Sequence, residues 1–172
     1  MGQDITCLIT KENIELDKNI IHFRIKEFIF IPFNISCDLE LEEAKAFDLL
    51  SDYIQHLESQ DSFDHYSYNR DNDHCNLDIF KIIRDYQIKS FIIEHSYDWA
   101  DLPVEYYFMQ VLDGRIIKNS LVFDESDLSK SNRANVEEAK KNFGLYFNWL
   151  NMTDLFYSYY FADRAYTLQQ AK

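Results

Sequence analysis

Glycine and proline are nearly missing from this chain, with three Gly and two Pro among 172 residues. Glycines at positions 2, 114 and 144 cannot build a phosphate cradle, and neither GxGxxG nor GxxxxGK[ST] occurs. The GxSxG turn of the commonest serine hydrolases is missing as well. Cysteine is scarce and unpaired in pattern: Cys7, Cys37 and Cys75 are an odd number, far apart, with no CxxC. That argues against a zinc ribbon or a thioredoxin-type pair and fits free thiols in a reducing compartment. Basic charge is short too, 17 Lys and Arg against 30 Asp and Glu, for a net of −13. Phosphate binding needs clustered cations, so direct binding to DNA, RNA or an anionic membrane is not expected. No apolar run is long enough to span a bilayer, and the N-terminus carries no secretion pattern. A cytoplasmic protein is the expectation.

What is present is apolar and aromatic. Hydrophobic residues make up 47% and aromatic residues 16%, including 14 Phe and 12 Tyr. Such a chain has material for one core, and a single globular domain over 1–172 is expected. Asp4 to Thr10 reads as a strand, and Ile20 to Phe33 as a long β-favouring run ended by Pro32. Within it, Phe28-Ile29-Phe30-Ile31 breaks the alternation and is expected to be buried on both faces or bulged. Leu41, Ala44, Phe47, Leu50, Ile54 and Leu57 recur at helical spacing, which predicts a helix from Asp38 to about Ser59.

Gln60 to His74 has no periodicity and reads as an exposed loop. A second helix starts near Asn76 with Leu77, Phe80, Ile83 and Tyr86 inward. Lys89 to His95 reads as a strand. Val104–Leu112 and Arg115–Phe123 flank Asp113-Gly114, a strong hairpin signal. Two helices, Ala134–Leu150 with Gly144 inside it and Asp154–Gln170, complete the chain. The order predicts an α+β fold, an antiparallel or mixed sheet of about five strands with about four helices packed on it. Strict β-α-β alternation, the mark of doubly wound nucleotide-binding folds, is missing.

Two clusters have residue types that do chemistry. His65, Asp71, Asp73, His74 and Cys75 are metal-ligand types on one loop, but neither HExxH nor the EF-hand order is present. A solvated acidic loop is the better account, and no metal or cofactor is expected. Glu94, His95, Asp98, Asp101 and Glu105 surround a strand end walled by Tyr97, Trp99, Tyr106 and Tyr107. A His beside carboxylates can serve as a general base, yet acids mixed with aromatics also make protein-binding surfaces. Binding is favoured. The expected partner-facing residues are Asp64, Asp71 and Asp73 on the loop, with Glu94, Tyr97, Asp98, Trp99, Asp101 and Glu105 on the strand end.

The acidity is uneven. Residues 38–73 hold 11 Asp/Glu against Lys45 and Arg70, and residues 94–127 hold 8 against Arg115 and Lys118. These two blocks carry the imbalance and together can present one negative field. In its acidic and aromatic surface stretches (Ser59-Gln60-Asp61-Ser62-Phe63-Asp64, Asn69-Arg70-Asp71-Asn72-Asp73 and Tyr97-Asp98-Trp99-Ala100-Asp101), the chain resembles the immunity proteins of bacterial toxin systems, including those of contact-dependent growth inhibition. The resemblance implies a protein that binds and neutralises a basic partner such as a nuclease toxin domain; the chain is expected to be a monomer or homodimer. Acidic side chains would stand in for phosphates, with Tyr and Trp as anchors. The competing expectation is a small metal- or His-dependent hydrolase centred on His95 or His74.

Overall fold

Alternating Thr6, Leu8 and Thr10 with Cys7 and Ile9, the first strand has no charged residue on either side after Asp4 and belongs inside a covered sheet. The computed structural model describes residues 4–18, 20, 22–33, 41–59, 76–99, 102–122, 130–147 and 149. Among them are six strands: β1 (Asp4–Thr10), β2 (Phe23–Ile25), β3 (Phe28–Phe33), β4 (Phe91–Trp99), β5 (Leu102–Leu112) and β6 (Arg115–Ile116). They form one sheet in the order β2-β3-β1-β4-β5-β6, with every pairing antiparallel. Three α-helices accompany it: α1 (Leu50–Glu58), α2 (Asn76–Asp85) and α3 (Lys130–Phe143). The fold class is α+β, with one more strand than expected. The anticipated helix 154–170 lies outside the described residues.

Both faces of the sheet are covered. On one, Leu8, Ile29, Ile31, Ile93, Met109 and Val111 meet α1 and α2 through Leu50, Tyr53, Leu57, Ile79, Phe80 and Ile83. On the other, Cys7, Ile9, Phe28, Phe30, Ile92 and Phe108 meet Val136, Ala139 and Phe143 of α3, then Leu145 and Trp149 beyond it. The run Phe28–Ile31 therefore is buried on both faces, its residues divided alternately between the two cores. No helix among the described residues is long and apolar enough to cross a membrane.

Several elements depart from the sequence pattern for local reasons. The run 20–33 folds back on itself through a two-residue turn at Lys26-Glu27, where Lys26 takes φ +56°. Pro32 does not end its strand; it lies opposite Cys7, and β2 pairs only with Phe28–Phe30, so no ladder bond is demanded of it there. The expected helix 38–59 is broken: Leu41–Ala46 is a 3-10 helix, and the α-helix starts at Leu50. The hairpin of β5 and β6 takes the intervening backbone, with Ile116 N–H donating to Asp48 O and Leu50 N–H to Gly114 O.

Asp113 and Gly114 have φ of +48° and +74°, the signature of a type I′ turn. The strand after them lasts two residues, then passes through a 3-10 turn (Lys118–Ser120) before Val122 bridges back to Phe108. Gly144 is not inside a helix. It ends α3 at φ +86°, with its own N–H on Lys141 O and Leu145 N–H on Lys140 O, the paired bonds of a Schellman cap.

Candidate functional site

The strands β4 and β5 are the longest of the sheet, and their shared end collects part of the expected partner-facing set. Their register sets Tyr97 opposite Glu105, Asp98 opposite Pro103 and Trp99 opposite Leu102, with a register shift between Tyr97 and Asp98. A bulge of this kind twists a hairpin end and re-aims what it carries. Among the described residues the β1 register with β4 runs as far as Asp4 opposite Tyr97, and Asp98 and Trp99 lie beyond it. Thus Tyr97, Asp98, Trp99 and Glu105 come together in backbone register at one end of the sheet. Asp64, Asp71, Asp73 and Asp101 lie outside the described residues, as do His65, His74 and Cys75.

Glu94 belongs elsewhere. Instead of facing a partner it is fully buried on the α3 side of the sheet, opposite Cys7 of β1. Its Oε1 accepts from Lys140 Nζ at 2.5 Å and from the Tyr106 hydroxyl at 2.7 Å, and its Oε2 accepts from the Trp149 indole N–H. Nearby, Gln110 Nε2 donates to Ala139 O at 3.2 Å, a second polar tie between the sheet and α3. Burial, then the charge of Glu94, push the Tyr106 hydroxyl and the Cys7 thiol well above their ordinary ranges, so both stay protonated near neutrality. Sequence reasoning missed this knot because Lys140 and Trp149 are 46 and 55 residues away along the chain. A hint existed: Glu94 sits on a strand between apolar neighbours, where an acid requires a buried partner.

His95 points to the other face, as the alternation of a strand requires. It is 3% exposed, its Nδ1 is hydrogen-bonded with the Thr6 hydroxyl at 2.8 Å, and its ring stacks at a tilt on Tyr107, 5.1 Å between centroids. Burial lowers its pKa to about 4, so the imidazole is neutral at physiological pH. A general base must reach a substrate proton, and this one is enclosed by the sheet and its cover. Among the described residues, no three His, Cys, Asp or Glu side chains are grouped to hold a metal ion.

At the opposite end of the sheet lies a feature with no sequence signal, an open groove of about 610 Å³. Leu49, Leu50 and Ile54 of the α1 region, Ile83 and Ile88 at the end of α2, and the Asp113-Gly114 turn line it. Its floor is knit by backbone bonds, Gly114 N–H to Lys89 O and Leu50 N–H to Gly114 O. Its charged residues offset one another: Glu58 and Asp113 against Arg84 and Lys89, with Arg84 already bonded to Glu58.

No protein-family model, curated protein or solved structure matches the chain.

Proposed function

We propose that this chain is an acidic binding protein that engages a basic partner protein, of the kind represented by the toxin domain of a bacterial toxin–immunity pair. The observation that carries the reading is the β4–β5 hairpin end, whose register gathers Tyr97, Asp98, Trp99 and Glu105 beside the Ala100-Asp101 connection. Aromatic residues with acidic neighbours have the composition of an anchor-and-steer interface, in which Tyr and Trp contribute desolvated contact and the carboxylates speed and orient encounter.

The distribution of charge supports the same reading. Residues 94–127, which include the β4–β5 hairpin end, carry 8 Asp/Glu against Arg115 and Lys118. The helices α1 to α3 together carry six acids and six bases, so negative charge steers a basic partner to the hairpin region rather than to them. The buried, neutral His95 disfavours the hydrolase alternative at that residue.

The test is co-expression of the chain with the product of the adjacent open reading frame. The proposal expects that product to arrest growth alone, and to be relieved and recovered as a stoichiometric complex when the chain is present. A toxic neighbour that neither binds the chain nor is relieved by it contradicts the proposal.

A further inference from the structure

The two cores share the sheet but differ in how their covers are held. α2 contributes four buried apolar side chains (Ile79, Phe80, Ile82 and Ile83), and α1 adds Leu50, Tyr53 and Leu57. α3, although the longest helix, contributes only Val136, Ala139 and Phe143. The side chain at the centre of its inner face is Lys140, 10% exposed, whose ammonium ends on the fully buried Glu94. The chain beyond α3 meets the same carboxylate through Trp149, while Trp149 and Phe147 pack on Phe30 at 6.2 and 6.0 Å between ring centroids. Both parts of the cover thus converge on one anion.

We infer that α3 together with Leu145, Phe147 and Trp149 is a flap that opens as a unit from an otherwise folded molecule, and that the Glu94 carboxylate is its latch. The physical basis is the asymmetry of a buried ion pair: removing one partner leaves the other charge desolvated and uncompensated, whereas removing both can be nearly neutral. A cover whose inner face is centred on one buried ion pair rather than on an apolar side chain lies toward the low end of local stability, and regions of that kind open before the global unit does. Opening uncovers Phe28, Phe30, Ile92 and Phe108 on one sheet face, while the core under α1 and α2 stays closed. This does not rest on the hairpin reading, which concerns the end of the sheet rather than its face.

Native-state hydrogen exchange on the full chain tests the inference, comparing wild type with Glu94→Gln and with the double variant Glu94→Leu/Lys140→Met. In Glu94→Gln, amides of α3 should exchange roughly a hundredfold faster, with those of β1, β4, α1 and α2 nearly unchanged. The double variant should bring α3 part of the way back towards its wild-type rate, the remainder reflecting the Tyr106 hydroxyl and Trp149 indole N–H that lose the same acceptor. Equal acceleration throughout the molecule, or none in α3, overturns the inference. Should Glu94→Gln fail to fold, wild-type exchange decides alone: in low denaturant α3 must open at lower free energy than β1 and β4, and a common opening energy contradicts the flap.

Discussion

At the scale of single residues, two of the side chains that look chemically active from the sequence, Glu94 and His95, are absorbed into packing. Glu94 and His95 are adjacent on β4 and so face opposite cores, one taking three donors and the other bonded with Thr6. His95 has a measurable consequence. Its unfolded imidazole protonates near the ordinary value of 6.5 and the folded one only near 4. The stability linked to it is complete above pH 6.5 and lost as the pH falls to about 4, a term on the order of 3 kcal/mol. Urea unfolding at pH 7 and pH 4.5 should show this loss, and His95→Asn should make the pH dependence shallower; an unchanged slope would remove His95 as its source. Gly144 gives a second test. A Cβ there would lie 2.5 Å from Lys11 Nζ, which is itself placed over Phe28 and Phe143, at a φ that side chains resist. Gly144→Ala should lower stability by about 1–2 kcal/mol in the same unfolding assay.

At the scale of elements, periodicity read the strands better than it read helix ends. β1 spans the residues that the alternation marks, and the Asp113-Gly114 turn stands where its chemistry puts it. The helix over 38–59 was not legible as broken, because hydrophobic spacing counts side chains, and the break comes from backbone bonds made by Asp48 and Leu50 to the β6 hairpin. The inward face expected for α2 was turned slightly: Ile79 and Ile82 are buried with Phe80 and Ile83, while Tyr86 is half-exposed and its hydroxyl accepts from the Asp17 N–H. α2 ends in a Schellman cap whose left-handed residue is Gln87 at φ +53°, with Ile88 N–H on Ile83 O and Gln87 N–H on Arg84 O. Glycine suits that position, so Gln87→Gly should raise the unfolding free energy by up to about 1 kcal/mol, and a loss of stability would contradict the strain assigned to it.

At the scale of the whole molecule, the sequence shows the acid excess but not where the fold puts it. Helices α1 to α3 and the sheet edges carry acids and bases in near balance, with ion pairs such as Arg84–Glu58 and Lys118–Asp48 at the surface. The residues expected to face a partner divide. Glu94 is withdrawn into the core, and Tyr97, Asp98, Trp99 and Glu105 are brought into register at the hairpin end. The proposed recognition by this end would have an electrostatic and a packing component, which salt separates. The most direct measurement is the affinity of the chain and of Asp98→Lys/Asp101→Lys for the product of the adjacent open reading frame, at low and at high salt. The account predicts at least a tenfold weakening by the double reversal at low salt and a smaller difference at high salt, with an unchanged melting profile. Equal affinities for the two proteins at both salt concentrations would contradict it.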